Sequence, residues 1–294
     1  MKKYIEIIKN SYSDYWNYIK QSVLMELNWE NYFYGLLIIS LIVWGLELVF
    51  PWRKDQAVFR KDFWLDTFYM FFNFFLLNLI ILIALSNSVA LIFNDLLGIF
   101  GGSISSFQLL EINNLPYFWR IFIFFIVVDF TQWLTHRLLH RFQFLWNFHK
   151  VHHSVKQMGF AAHLRYHWME PVVYNSLRYI PLAIIGGFAA KDVAIVHFFN
   201  ITIGHLNHAN INWDYGWFKY ILNNPKMHIW HHSKELPEER KYGVNFGLTL
   251  SLWDYLFKTS YIPHSGRDIE LGFEGDEKFP KSFIGQEMYP LNKK

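Results

Sequence analysis

The chain of 294 residues is 53% hydrophobic, 20% aromatic and only 17% charged. An ordinary soluble domain carries about 25% charged residues, so this composition implies a surface that largely faces lipid. The net charge of +3 comes without a long basic run, which argues against a nucleic-acid surface. The absence of cysteine excludes disulfide frameworks, cysteine-ligated zinc, thiolate-held iron–sulfur clusters and thiolate-bound haem.

In chain order, MKKYIEIIKNSYSDYWNYIK is not a signal peptide, because Glu, Lys and Asp interrupt any apolar core. YFYGLLIISLIVWGLELVF (32–50) has the roughly 20-residue length of a membrane crossing. A second crossing is expected at 66–86, within a longer apolar run, and a third at YFWRIFIFFIVVDFTQWL (117–134). Two apolar arms between Pro171 and Ile203 read as a helical hairpin turning near Gly186 and Gly187. The predicted fold is an all-α integral membrane protein with about four transmembrane helices or hairpin arms and a cytoplasmic, histidine-rich helical cap. Residues 1–116 form the N-terminal segment and first membrane helices, 117–262 a catalytic domain and 263–294 a polar tail.

Charge sets the orientation. Residues 51–65 hold Arg53, Lys54, Arg60 and Lys61, whereas 87–116 hold no Lys or Arg. Basic short loops stay cytoplasmic, so 87–116 should lie outside and His136 inside, beside Arg137, Arg141 and Lys150. The same orientation places the lysines of the N-terminal segment outside. An even number of crossings between 153 and 228 brings the later histidines back to the same face.

Eight histidines fall in three tight groups: T-H-R-L-L-H, H-K-V-H-H and H-I-W-H-H. His136 and His140 are four apart; His149, His152 and His153, and again His228, His231 and His232, stand at i, i+3 and i+4. On helices each group occupies one face. A lone histidine is usually a packed ring. Eight in such clusters would repel one another on protonation, and bound cations that use their lone pairs resolve this. So many nitrogens exceed the four to six positions of one ion, so two ions are the economical reading. Imidazole suits Zn, Fe, Cu and Ni alike. Neither Glu-x-x-His nor His-Glu-x-x-His occurs.

Taken in order between hydrophobic runs, these three boxes resemble those of the fatty acid hydroxylase / sterol desaturase superfamily. L-N-H-A-N-I (206–211) resembles the family's H-x-N-I segment. R-Y-H-W-M-E (165–170) resembles its R-x-H-P-x-E element, with Trp168 for proline. N-F-G-L-T-L-S-L-W-D-Y-L-F-K-T (245–259) resembles its tail motif, with Lys258 for glycine. The resemblance covers about 117–262.

It implies a non-haem centre of two iron ions that uses O2 and two electrons to hydroxylate or desaturate a lipid. The implied ligands are His136, His140, His149, His152, His153, His228, His231 and His232, with His208 as the ninth. His163, His167 and His205 are expected beside the site rather than in it, and His197 and His264 away from it. Asp129, seven residues before His136, and Asp254 are the expected acceptors for outer ring nitrogens, with Asn245 a further candidate. Glu170 is expected to pair with Arg165. Electrons must come from a separate ferredoxin or b-type cytochrome with its reductase, since no flavin or nicotinamide fingerprint is present. The expected location is a bacterial inner membrane, with the histidines on the cytoplasmic side. A membrane metal transporter or a zinc-dependent lipid hydrolase with Glu170 as base are the alternatives.

Overall fold

The computed structural model describes residues 2–25, 32–73, 91–92, 94–103, 112, 114–186 and 190–291. These residues are helical with no strand; pairing is confined to three isolated bridges, Pro51 with Ile211, Leu222 with Leu250 and Ser233 with Leu271. The helices are α1 (Lys2–Tyr18), α2 (Tyr32–Val49), α3 (Phe63–Phe71), α4 (Tyr117–Arg141), α5 (Gln143–His153), α6 (Met169–Ile185) and α7 (Ala190–His208), then the short α8 (Pro225–His231), α9 (Leu252–Leu256) and α10 (Phe283–Met288).

Among the described residues α4 is the one helix long and apolar enough to cross a membrane, and α2 carries a shorter apolar stretch, Phe33–Val49. Both turn apolar side chains outward: Leu41 is 60% exposed and Phe118 68%. Most of the crossing expected at 66–86 lies outside the described residues, as does Gly187 of the expected hairpin turn. Gly186 ends α6 with φ 62°.

Local sequence explains how the histidine-bearing helices meet. α4 stops at Phe142, whose φ −103° and ψ 119° are extended, and α5 restarts at the next residue. That break turns α5 back against α4. α8 begins at Asn224-Pro225: the Asn224 side chain accepts the Met227 N–H at 3.0 Å and Pro225 takes the first helical position, where no N–H is needed.

One core joins α2, α3, α7 and the 3₁₀ turn Phe160–Leu164 through Leu36, Val43, Phe63, Met70, Phe160 and Ile201. A second lies under the cap, around Trp52, Met158, Ile229 and Trp230. Asp66, fully buried, accepts Arg60 Nη2 at 2.7 Å and Arg165 Nη1 at 2.9 Å. Asn73 Nδ2 donates to the Leu164 and Tyr166 carbonyls at 2.9 Å each. These contacts clamp residues 160–166 onto α3 and its extension.

The residues after 262, expected as a polar tail, pack against the body. Phe273 and Phe279 are buried with Tyr69 and Val151, and the Tyr69 hydroxyl donates to Gln286 Oε1 at 3.0 Å.

Candidate metal centre

The nine histidines proposed from sequence converge in two groups. His136 and His140 from α4, His149 and His153 from α5, and His231 from α8 form one; His152 from α5, His208 from the end of α7, and His228 and His232 at α8 form the other. Within each group one ring nitrogen from every histidine lies within 4.8 Å of the others. α5 and α8 each contribute to both groups, because residues at i, i+3 and i+4 straddle one face and reach to either side of it.

The outer nitrogens fix the tautomers of five rings. Nδ1–H of His136 donates to the Phe246 carbonyl (2.8 Å), of His231 to Val244 (2.8 Å), of His152 to Arg165 (3.0 Å) and of His208 to Gly204 (2.8 Å). His149 Nδ1–H donates to Glu170 Oε2 at 2.8 Å. Each neutral ring then presents a lone pair at Nε2. Yet His136 and His149 face each other Nε2 to Nε2 at 3.0 Å, and His152 and His208 at 3.3 Å. Two lone pairs cannot hydrogen-bond. A cation between them removes the conflict, and the spacing suits neighbouring donors with metal–nitrogen bonds of about 2.0–2.1 Å. His140 Nε2 and His232 Nδ1 are shielded from solvent and have no hydrogen-bond partner among the described residues. The donor set therefore fits two resident metal ions. Among the nine, His228 has an N–H donor facing its Nδ1, the Asn223 amide at 3.4 Å.

Burial keeps the rings neutral. It holds His149, His153, His228, His231 and His232 well below the ordinary histidine value, reinforced by the neighbouring imidazoles. Burial also lowers His152, to about 4, against the opposing Arg165 carbonyl bond.

The expected acceptors need correction. Asp129 does not reach His136: its carboxylate accepts Trp253 Nε1 at 2.8 Å and the Leu250 N–H at 3.4 Å. Its partners lie on the 249–253 segment, and the Phe246 carbonyl accepts the His136 Nδ1–H. Asp254 acts one step away. It accepts the Phe246 and Gly247 N–H groups at 2.9 and 2.7 Å, Trp133 Nε1 at 3.0 Å and Thr259 Oγ1 at 2.6 Å, and so sets the loop that supplies the acceptor. The Asn245 amide oxygen accepts the Tyr261 N–H and serves no ring. Glu170, expected on Arg165, is the carboxylate that holds His149, while Arg165 is paired with Asp66. The R-Y-H-W-M-E element contained this signal.

His163 and His205 face each other Nδ1 to Nδ1 at 2.9 Å, and His205 Nε2 meets Ser40 Oγ at 3.1 Å. His167 Nε2–H donates to the Glu287 carbonyl at 2.6 Å while its Nδ1 accepts the Met169 N–H, which satisfies it away from the metals. A cavity of about 300 Å³ touches both groups at His136, His149, His152 and His208 and extends past His163 and Asn200 to Arg178.

With this geometry in place, the comparisons with known proteins agree. Residues 121–259 match the fatty acid hydroxylase family model. An ornithine lipid hydroxylase from Rhizobium tropici is 31% identical over 180 residues, 61% of this chain and 52% of that protein. The alkylglycerol monooxygenase of Homo sapiens is 30% identical over 152 residues, 50% of this chain and 32% of that protein. A very-long-chain aldehyde decarbonylase from Oryza sativa subsp. indica is 27% identical over 142 residues, 45% of this chain and 22% of that protein. The chain thus spans about half the length of the first relative and a third of the second. No solved structure matches. Over residues 121–259 the chain is thus similar to fatty acid hydroxylases, and the relatives named as hydroxylase and monooxygenase are oxygenase-type oxidoreductases.

Proposed function

We propose that the chain is an integral-membrane, O2-dependent lipid hydroxylase, with two iron ions held by the nine histidines and a catalytic domain spanning 117–262. The observation that carries this reading is the pair of all-histidine groups opening onto one cavity. His136, His140, His149, His153 and His231 would hold one ion, and His152, His208, His228 and His232 the other. Bound iron supplies the O2 activation needed to break an unactivated C–H bond.

The protein's own part is positional. Glu170 and four backbone carbonyls hold the ring N–H groups, so each Nε2 is aimed before any metal arrives. The buried rings stay neutral and available. The cavity walls from α4, α6 and α7 keep bulk water away from the hydrocarbon of the substrate. Hydroxylation is favoured over desaturation by the named activities of the first relatives. The hydrolase alternative needs Glu170 as a free base, and that carboxylate is committed to His149.

The membrane reading adds crossings by α2, the 66–86 region, α4 and the α6–α7 pair, with the histidines cytoplasmic in a bacterial inner membrane. A separate ferredoxin or b-type cytochrome with its reductase would deliver electrons. The test is metal analysis of protein purified with iron supplied, followed by lipid oxidation under ¹⁸O2. Two irons per chain and a labelled hydroxyl in the lipid are expected, with metal lost in His152→Ala. A reproducible single zinc, no iron and no incorporated label would refute the reading.

A further inference from the structure

Along α6 the cavity is lined by Glu170, Tyr174, Asn175 and Arg178. Glu170 is taken by His149. Arg178 lies two turns further on, about 12 Å along the axis. Its guanidinium donates to the Asn175 side-chain oxygen and to no other group among the described residues. No carboxylate is paired with it among the described residues. The contrast with other arginines is plain: the buried Arg60 and Arg165 share Asp66, and Arg120, half-buried like Arg178, holds Asp192.

A guanidinium carries five N–H donors in a planar fork that matches carboxylate and phosphate oxygens. Half-buried without a counter-charge among the described residues, it keeps donors that an anion could satisfy. Here Arg178 lines the cavity where the substrate would sit, with Tyr174 and Asn175 beside it.

We propose that Arg178 anchors an anionic group, a carboxylate or phosphate, carried by the lipid that enters this cavity. The inference rests on the lipid-oxygenase reading and narrows its substrate from a neutral hydrocarbon to an anionic lipid. With the anion held two turns from Glu170, the carbon presented to the histidines belongs to the hydrocarbon part of the molecule rather than to the atoms next to the charge.

The test compares binding of N-oleoylglycine and its methyl ester to the iron-loaded full chain in a neutral maltoside detergent. One charge-assisted pair is worth about tenfold or more, so wild type should prefer the acid by at least that factor. Arg178→Gln should erase the preference, and Arg178→Lys should keep part of it. Asn175→Asp places a carboxylate against the guanidinium and should erase it with Arg178 still present. Millimolar inorganic phosphate should not displace the bound acid. Equal binding of acid and ester by wild type overturns the proposal. So does an undiminished preference in Arg178→Gln or Asn175→Asp, the result expected if Arg178 only reaches toward bilayer phosphates. Displacement by inorganic phosphate alone would make this a free-anion site and also overturn it. Binding is read without turnover: failure of the oxygenase reading would leave the preference standing, and failure here would leave lipid oxidation intact.

Discussion

Glu170 and Asp129 are both buried carboxylates beside the histidine-bearing helices, and only Glu170 touches a ring. Glu170→Gln keeps the shape but weakens the acceptor for His149 Nδ1–H, so metal affinity should fall roughly 10–100-fold, as is usual when an outer partner of a ligand is lost. Competition with a chelator measures it. Asp129→Asn should leave metal affinity near wild type while lowering stability by about 1–3 kcal/mol, because Trp253 and Leu250 lose a carboxylate acceptor. The opposite ranking would return Asp129 to the site. Lys258 is a second informative residue. It sits at φ 59° where the family motif has glycine, a backbone region that costs an L-residue about 1–2 kcal/mol. Lys258→Gly keeps the backbone carbonyl that accepts Arg240 Nη1. Its unfolding midpoint in urea should rise, since glycine relieves that strain; a midpoint at or below wild type would show that the strain is compensated.

At the scale of elements, the loop from Gly243 to Thr259 is a fixed part of the centre. Gly243 has φ 101°, and a Cβ there would stand 2.8 Å from His140 Nδ1. Asp254 ties the loop together by four accepted hydrogen bonds. Asp254→Ala strands those donors and should cost about 3–5 kcal/mol, as does breaking a buried charged network. The five-histidine group, which depends on the Phe246 and Val244 carbonyls, should release metal first; loss confined to the four-histidine group would contradict this. The same loop explains what could be read from sequence. Ligands at three- and four-residue spacings declare themselves, because helix geometry turns spacing into a shared face. Asp129 has a correct spacing to His136, but the loop residues that bond to it, Leu250 and Trp253, are 121 and 124 residues away in the chain and leave no local trace. Arg165 finds its carboxylate in Asp66 of α3, again a pairing without local spacing, and that is why Glu170 was left for His149.

At the scale of the whole molecule, burying so many imidazoles couples folding to protons. Their folded values are depressed, His152 to about 4, against about 6.5 for an exposed ring. The unfolded chain therefore binds more protons between these values. Stability is fully present above about pH 6.5 and is lost as pH falls toward 4. Thermal melting of metal-free protein should decline steadily across that window; a flat profile from pH 7.5 to 4.5 would show that the rings are not held neutral. Metal adds to the effect, because protons compete for the same lone pairs. Orientation in the membrane can be read from a chain with no native cysteine. Phe100, 87% exposed, and Glu238, on the histidine-bearing cap, are suitable sites. An impermeant maleimide should label Phe100→Cys in intact cells and Glu238→Cys only after lysis; the reverse pattern would invert the proposed topology. The all-helical character and the convergence of the histidines were legible from hydrophobic runs and spacing. The docking of residues 263–291 was not, because its few aromatic anchors, Phe273 and Phe279, are scattered among polar residues and show no period.

Four of the five oriented rings lean on main-chain oxygen, at Phe246, Arg165, Gly204 and Val244. Such an oxygen is present whichever amino acid occupies the position. An alanine scan would pass over all four without deleting one of them, and would credit the centre's alignment to Glu170 alone. Where side chains at these sites do change, the acceptor survives as long as the path of the backbone holds, although Gly204, whose Cβ would stand 2.2 Å from the His163 ring, and Arg165, paired with Asp66, are held by other contacts. What is inherited there is a curve, not a spelling. Replacing a single peptide link, for instance by an ester that weakens the carbonyl as an acceptor, would expose a dependence that side-chain substitution cannot reach.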